Sequence, residues 1–216
     1  MPQLFPRWAN SAARAVLIVG ISFLAIAPIA LLAWARSPAA TGQYAVVEQP
    51  VAFSHPLHVN GERIDCRYCH AGAERSAMAG LPPTSACISC HKEGLLNSSM
   101  FVAVRRSVAT AKPIAWQRVT SVPDFVFFNH AVHTTKGIGC ESCHGRVDLM
   151  QRVHQVAPLT MGWCLQCHRA PERYVRPVDE VTTMGWEPTR DRETSGPALA
   201  KEYHLRSVTT CTGCHR

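Results

Sequence analysis

Cys66-Arg67-Tyr68-Cys69-His70 is the first of five Cys-x-x-Cys-His strings in this chain. The others are Cys87-Ile88-Ser89-Cys90-His91, Cys140-Glu141-Ser142-Cys143-His144, Cys164-Leu165-Gln166-Cys167-His168 and Cys211-Thr212-Gly213-Cys214-His215. Together they use all 10 cysteines of the 216 residues. The spacing lets two thiols form thioethers to the two vinyl groups of one haem, while the adjacent His reaches the iron. Zinc ribbons and redox dithiols compete for the same Cys-x-x-Cys unit. Zinc knuckles pair with one another and need no His after every second Cys. Disulfides do not need the two-residue gap five times. The strings therefore predict five covalently bound haem c groups, with His70, His91, His144, His168 and His215 as proximal iron ligands.

Working outward from the strings, six further histidines remain: His55, His58, His130, His133, His154 and His204. Five irons need five distal ligands. Phe53-Ser54-His55-Pro56-Leu57-His58 recurs as Phe128-Asn129-His130-Ala131-Val132-His133, 75 residues later. The haem strings that follow recur at offsets of 74 and 77. Residues 51–91 and 126–168 therefore read as two copies of one two-haem module. The fifth haem, over 204–216, stands apart. Two residues three apart on a helix share a face but diverge in direction. One His-x-x-His pair can then serve two haems, which makes His55, His58, His130 and His133 distal ligands. His154 and His204 are further candidates. Met78, Met100, Met150 and Met161 are weaker ones, since core filling is the commoner use of Met. The second haem is the open case: its module has no His between His70 and Cys87, only Met78. A Met there would raise the potential relative to bis-His ligation.

With six ligands on every iron there is no vacant position for substrate. The chain also shows no acid–base dyad, so it carries no catalytic site of its own. The chemistry left is electron conduction, with potentials set by axial ligand, burial and hydrogen bonding.

The rest of the chain fits around this. Residues 1–14 hold Arg7 and Arg14 as their only charges, and form a cytoplasmic N-terminus. Ala15 to Ala35 is a run of 21 residues without a charge. As a helix it is about 31 Å long, which matches a bilayer core. Pro28 is tolerable there, and Trp34 suits the interface. A cleaved signal peptide competes, through Ala33-Trp34-Ala35, but the run exceeds an h-region of about 7–15 residues. The expectation is an uncleaved single-pass anchor in the bacterial cytoplasmic membrane, in contact with membrane lipid. The positive-inside rule puts its N-terminus in the cytoplasm and the haem domain in the periplasm. Residues 36–50 read as a tether, and 51–216 as the pentahaem cytochrome c domain.

About 170 residues around five haems leave little for an ordinary core. The predicted fold is mostly irregular with short α-helices, a multihaem cytochrome c domain wrapped around five haems, plus one N-terminal transmembrane helix. Residues 92–127 and 169–210 read as long irregular connections that wrap haem faces or a partner. Residues 185–197 read equally as solvated loop. The formal charge is +7. Each ferric haem with two propionates adds about −1 and each ferrous one about −2, which brings the total to roughly +2 oxidised and −3 reduced. Nucleic-acid binding gets no support. Many Arg and Lys residues read as propionate partners.

Phe-x-His-x-x-His ahead of Cys-x-x-Cys-His, twice, resembles the cytochrome c3/c7-like multihaem class. The stretches Pro113 to Trp116, Pro123 to His130, Gly139 to Asp148 and Met161 to Arg169 are more specific. With the anchor and five sites, they resemble the pentahaem cytochrome c subunits of alternative complex III. That resemblance implies a quinol:electron acceptor oxidoreductase. Its implied partners are an iron–sulfur/molybdopterin-like subunit and polytopic quinol-oxidising membrane subunits. The implied acceptor is a monohaem cytochrome c or a blue copper protein. Similar proteins often carry a His where this chain has Thr120, so His154 or a Met stands in for it. Two other classes compete: a stand-alone membrane-anchored multihaem quinol dehydrogenase feeding a periplasmic reductase, and a catalytic multihaem reductase.

Overall fold

The structure is a computed structural model that describes residues 4–92, 97–188 and 192–215. Residues 1–3 of the N-terminal segment, residues 189–191 of the 185–197 stretch and Arg216 lie outside the described residues. The chain divides into two compact units, Met1–Gly42 and Gln43–Arg216.

The first unit is dominated by α1, Ala9–Ala35. Its 27 residues span about 40 Å at 1.5 Å each. It starts before the uncharged run because Arg14, a good helix former, does not interrupt the ladder. Its most apolar window has a mean hydropathy of 2.7, and none of that window is buried. It is long and apolar enough to cross a membrane; by length and composition alone it also fits a signal sequence. A short α2, Pro38–Thr41, follows and closes on Gly42 at φ 73°.

The second unit has short helices and no strand among the described residues, only three isolated bridges. Its apolar core is very small. The buried apolar side chains are Val104, Ile114, Ala157, Val175 and Val181. Asp148, Gln155, Arg176, Ser107 and Thr134 are equally buried. A unit of this length ordinarily buries far more apolar surface.

Three sequence expectations change. The stretch read as a tether over 36–50 is held to the second unit from Gln43 onward. Gln43 donates to the Val156 carbonyl (2.7 Å), the Tyr44 amide to the Gln155 carbonyl (2.8 Å), and the Gln49 side-chain amide donates to the Gln117 carbonyl and accepts from the Gln117 backbone N–H. The connection 92–127 contains a 3-10 turn, Ser99–Phe101, and a helix, α5, Val102–Thr110. Ser98 caps the turn, and α5 buries Val104 and bonds Ser107 to the Thr84 hydroxyl. The connection 169–210 holds two 3-10 turns, Pro171–Arg173 and Val178–Glu180, and α9, Arg192–Glu202. The solvated-loop reading of 185–197 fails from 192 on. There α9 packs so closely that a Cβ on Gly196 would lie 2.3 Å from the Glu172 carbonyl oxygen.

Candidate functional site

Each haem string sits on a tight helical turn. Cys66–Cys69 forms α3, Cys140–His144 forms α7, Met161–Arg169 forms α8 and Cys211–Cys214 forms α10. Cys87 lies in α4, Thr84–Ile88. Residues three apart on such a turn face the same way, so both thiols of a pair address one ligand. Local caps fix the turns. Asp65 accepts from the Arg67 amide (2.8 Å) at α3, and Thr160 accepts from the Trp163 amide (3.4 Å) at α8. None of the ten cysteines is in a disulfide. Among the described residues no three His, Cys, Asp or Glu side chains converge as an all-protein metal site requires.

The histidines pair instead. His58 and His91 have ring centroids 6.1 Å apart, His130 and His144 6.3 Å, and His133 and His168 6.0 Å. Two imidazoles bound to one metal ion at about 2 Å each have centroids about 6 Å apart. The residues therefore fit haem iron held between two imidazoles. His55 lies within electrostatic reach of both His70 and His58. Burial, then His70 and His58, lowers the His55 pKa to about 4. Burial, then His130 and His70, lowers that of His144 to about 4. Burial, with His168 adding, also lowers that of His133. These rings stay neutral at physiological pH, the state that can ligate.

Both copies of Phe-x-His-x-x-His build the same geometry, although the first runs into a π-helical turn, Pro56–Gly61, and the second into α6, His130–Thr135. Phe53 meets His55 at 4.8 Å and 84° and His58 at 4.2 Å and 30°. Phe128 meets His130 at 4.7 Å and 85° and His133 at 4.8 Å and 29°. One ring thus braces two imidazoles in each copy. Backbone carbonyls orient the far ring nitrogen. His58 Nδ1 bonds Ser54 (2.8 Å), His133 bonds Asn129 (2.7 Å), His70 bonds Gly80 (2.8 Å) and His130 bonds Ala77 (2.9 Å). Such outer contacts fix the tautomer and raise ligand basicity.

The strings, numbered one to five in chain order, follow one another in space as two, one, three, four, five. Tyr68 Oη meets Ser89 Oγ at 2.9 Å, which joins the first to the second. Thr182 donates to Asp65 (2.9 Å) and the Cys140 amide donates to neighbouring Val181 (2.9 Å), which joins the first to the third. The facing Cys140 thiol, with burial, raises the Cys66 pKa. Burial raises that of Cys143, with Cys167 and Cys164 of the fourth string adding. Ser207 donates to the His168 carbonyl (2.8 Å), which joins the fourth string to the segment leading into the fifth.

The third site also carries a buried ion pair that the sequence did not reveal. Arg176, 5% exposed, meets Glu141 Oε1 at 2.8 Å. It also donates to the Thr183 carbonyl (3.0 Å) and lies 4.8 Å from the Trp186 ring centroid. A Cβ on Gly139 would fall 2.2 Å from its guanidinium carbon, so glycine admits this close approach. Arg67, Arg146 and Arg152 likewise pair with protein carboxylates. The sign of these residues was legible; Arg67 and Arg146 find carboxylates two residues away, whereas those of Arg176 and Arg152 lie 35 and 104 residues away.

Other candidates stand differently. His154 lies against Tyr44 (6.0 Å) and forms a bridge with Val46. His204 is exposed and adopts φ 52° after α9. Phe125 is the ring beside His215, at 5.7 Å. Met78, Met100 and Met161 are exposed, and Met150 packs beside Gly145. The ring opposite His91 is His58, where a Met had been the alternative.

The cytochrome c3 family matches residues 132–216. The menaquinone reductase multihaem cytochrome c subunit of Nitratidesulfovibrio vulgaris is 35% identical over 189 residues, which covers 80% of this chain and 79% of the relative. The chain therefore belongs to this family of cytochrome c3-like multihaem cytochromes c, with covalently bound haem c.

Proposed function

We propose that the chain is a membrane-anchored pentahaem c-type cytochrome that conducts electrons within a quinone-linked oxidoreductase complex. The observation that carries this reading is the three His–His pairs at 6.0–6.3 Å. Each joins a Cys-x-x-Cys-His histidine to one from a Phe-x-His-x-x-His motif. The haem itself supplies reversible one-electron chemistry. The chain's residues attach it, fill both axial positions and exclude other ligands.

The proposed ligand pairs are His70 with His55, His91 with His58, His144 with His130, and His168 with His133. His215 takes its partner from His154 or His204. The ten thiols, Cys66, Cys69, Cys87, Cys90, Cys140, Cys143, Cys164, Cys167, Cys211 and Cys214, attach five haems. Each His-x-x-His then couples two haems of one module, and the contact between the first and third strings couples the modules. The electron path runs two, one, three, four, five. Filled axial positions argue against the catalytic reductase reading.

α1 anchors the chain, with Arg7 and Arg14 on the cytoplasmic side and the haem unit in the periplasm. The resemblance to alternative complex III gives the complex its finer form. An iron–sulfur/molybdopterin-like subunit and polytopic quinol-oxidising subunits flank the chain, and a monohaem cytochrome c or blue copper protein accepts the electrons. The name of the Nitratidesulfovibrio relative favours a second reading, in which electrons flow toward menaquinone. A bis-histidine wire conducts both ways, so the potentials of its two end partners set the direction.

Purification in mild detergent tests the proposal. Co-purification with membrane subunits that exchange electrons with menaquinol or menaquinone is the expected result. Recovery of the chain alone, still oxidising menaquinol, would overturn it in favour of a stand-alone quinol dehydrogenase. Measuring menaquinol oxidation and menaquinone reduction on the same complex separates the two directions.

A further inference from the structure

Four of the paired histidines, His58, His70, His130 and His133, hold a backbone carbonyl at Nδ1; two others have a sealed and unpartnered Nδ1. His55 Nδ1 and His91 Nδ1 are buried with no hydrogen-bond partner. Their proposed counterparts across the iron, His70 and His58, each hold a carbonyl at 2.8 Å. Both haems of the first module would thus have one strongly donating imidazole and one weakly donating one.

The ring packed on His91, besides His58, is Phe101, with centroids 5.1 Å apart and planes at 46°. Phe101 ends the 3-10 turn Ser99–Phe101 and immediately precedes α5. That turn is held firmly. Ser98 Oγ accepts from the Met100 amide (3.3 Å), and Arg105 donates to the Ser98 carbonyl (2.8 Å). The ring beside His91 is therefore a fixed part of the fold.

We propose that Phe101 is a positioning residue that sets the potential of the second haem by keeping the far nitrogen of His91 dry and unpartnered. A hydrogen bond from Nδ1–H to an acceptor makes the imidazole a stronger donor. A stronger donor favours ferric over ferrous iron and lowers the potential. Denying that bond leaves the second haem more easily reduced than a haem with both imidazoles bonded. The second site is one end of the path through the strings, so this raises the potential at an end of the wire. Phe53 stands in the same relation to His55, but it also packs on His58 and is a less clean probe.

This rests on the reading that His58 and His91 share an iron, and the test separates the two. The full chain, in its complex, is titrated potentiometrically as wild type, Phe101→Gln and Phe101→Leu. Gln brings an acceptor to His91; Leu keeps the contact dry. The expected result is one haem in Phe101→Gln whose reduction equilibrium falls about tenfold, about 59 mV for one electron, with Phe101→Leu close to wild type. Equal shifts in both variants, or none in either, would overturn the proposal. Pulsed EPR on the wild type gives an independent readout if a variant loses haem. The remote ring nitrogen of one ligand at this site should show the quadrupole signature of an unbonded N–H, and a bonded signature for both ligands would also overturn it. A second haem that is not low-spin bis-imidazole in the wild type would instead remove the ligand assignment.

Discussion

His130 and His144 face each other with ring centroids 6.3 Å apart and planes within 5°. His130 comes from the start of α6 and is oriented by the Ala77 carbonyl of the first module, at 2.9 Å. His144 ends the third haem string. One relationship thus ties a distal position, a proximal position and the preceding module together.

His130→Ala should convert one haem to high spin and leave its covalent attachment intact. EPR should show a new axial high-spin signal for about one haem in five, with unchanged covalent haem content per chain. His55→Ala should do the same at the first haem. Unchanged low-spin spectra and potentials in both variants would remove these residues as ligands.

Phe128→Leu should lower stability by about 1 kcal/mol, since a half-buried ring in two aromatic contacts is replaced by a smaller side chain. It should also broaden the low-spin EPR lines of the third and fourth haems, whose distal imidazoles it braces. Thermal unfolding and EPR check the two effects separately. Sharp, unchanged lines would mean that the imidazoles are fixed without it.

Arg176→Met should destabilise the haem unit by about 3 kcal/mol, because it leaves Glu141 buried without its cation. Arg176→Met combined with Glu141→Leu should recover much of that loss. Chemical denaturation of the four variants gives the coupling directly. Additive losses would show that the pair contributes no mutual stabilisation.

Acid should weaken the cap that opens α3 at the first site. Side-chain hydrogen bonding from Arg67, against a smaller opposing effect of burial, holds the Asp65 pKa at about 2, below the usual 3.8. The stabilisation is complete above the unfolded value and is lost as pH falls from 3.8 through about 2. After solvent screening it amounts to about 1 kcal/mol. Asp65→Asn should flatten the stability profile in that window and weaken the cap on α3. A profile identical to wild type between pH 4 and 2 would contradict this.

Haem attachment was legible because it is local: two cysteines and a histidine on one helical turn suffice to define it. The Phe-x-His-x-x-His repeat was legible for the same reason, and the two copies share ring angles within about 1°. The partners of those histidines were less so. His58 meets His91 across 33 residues and His133 meets His168 across 35, and chain folding alone decides such contacts. The helix α5 was hidden by its weak hydrophobic pattern, since it buries only Val104 and Ser107. Arg176 read as one of many cations. Nothing in its neighbours along the chain points to Glu141.

The central claim is that these histidine pairs bracket haem irons in a pentahaem wire. Near-infrared magnetic circular dichroism on the purified chain, calibrated by haem content, tests it most directly. Five haems per chain are predicted, at least four with the bis-histidine charge-transfer band. Fewer than five haems, or a histidine–methionine band at the second site, would contradict the account.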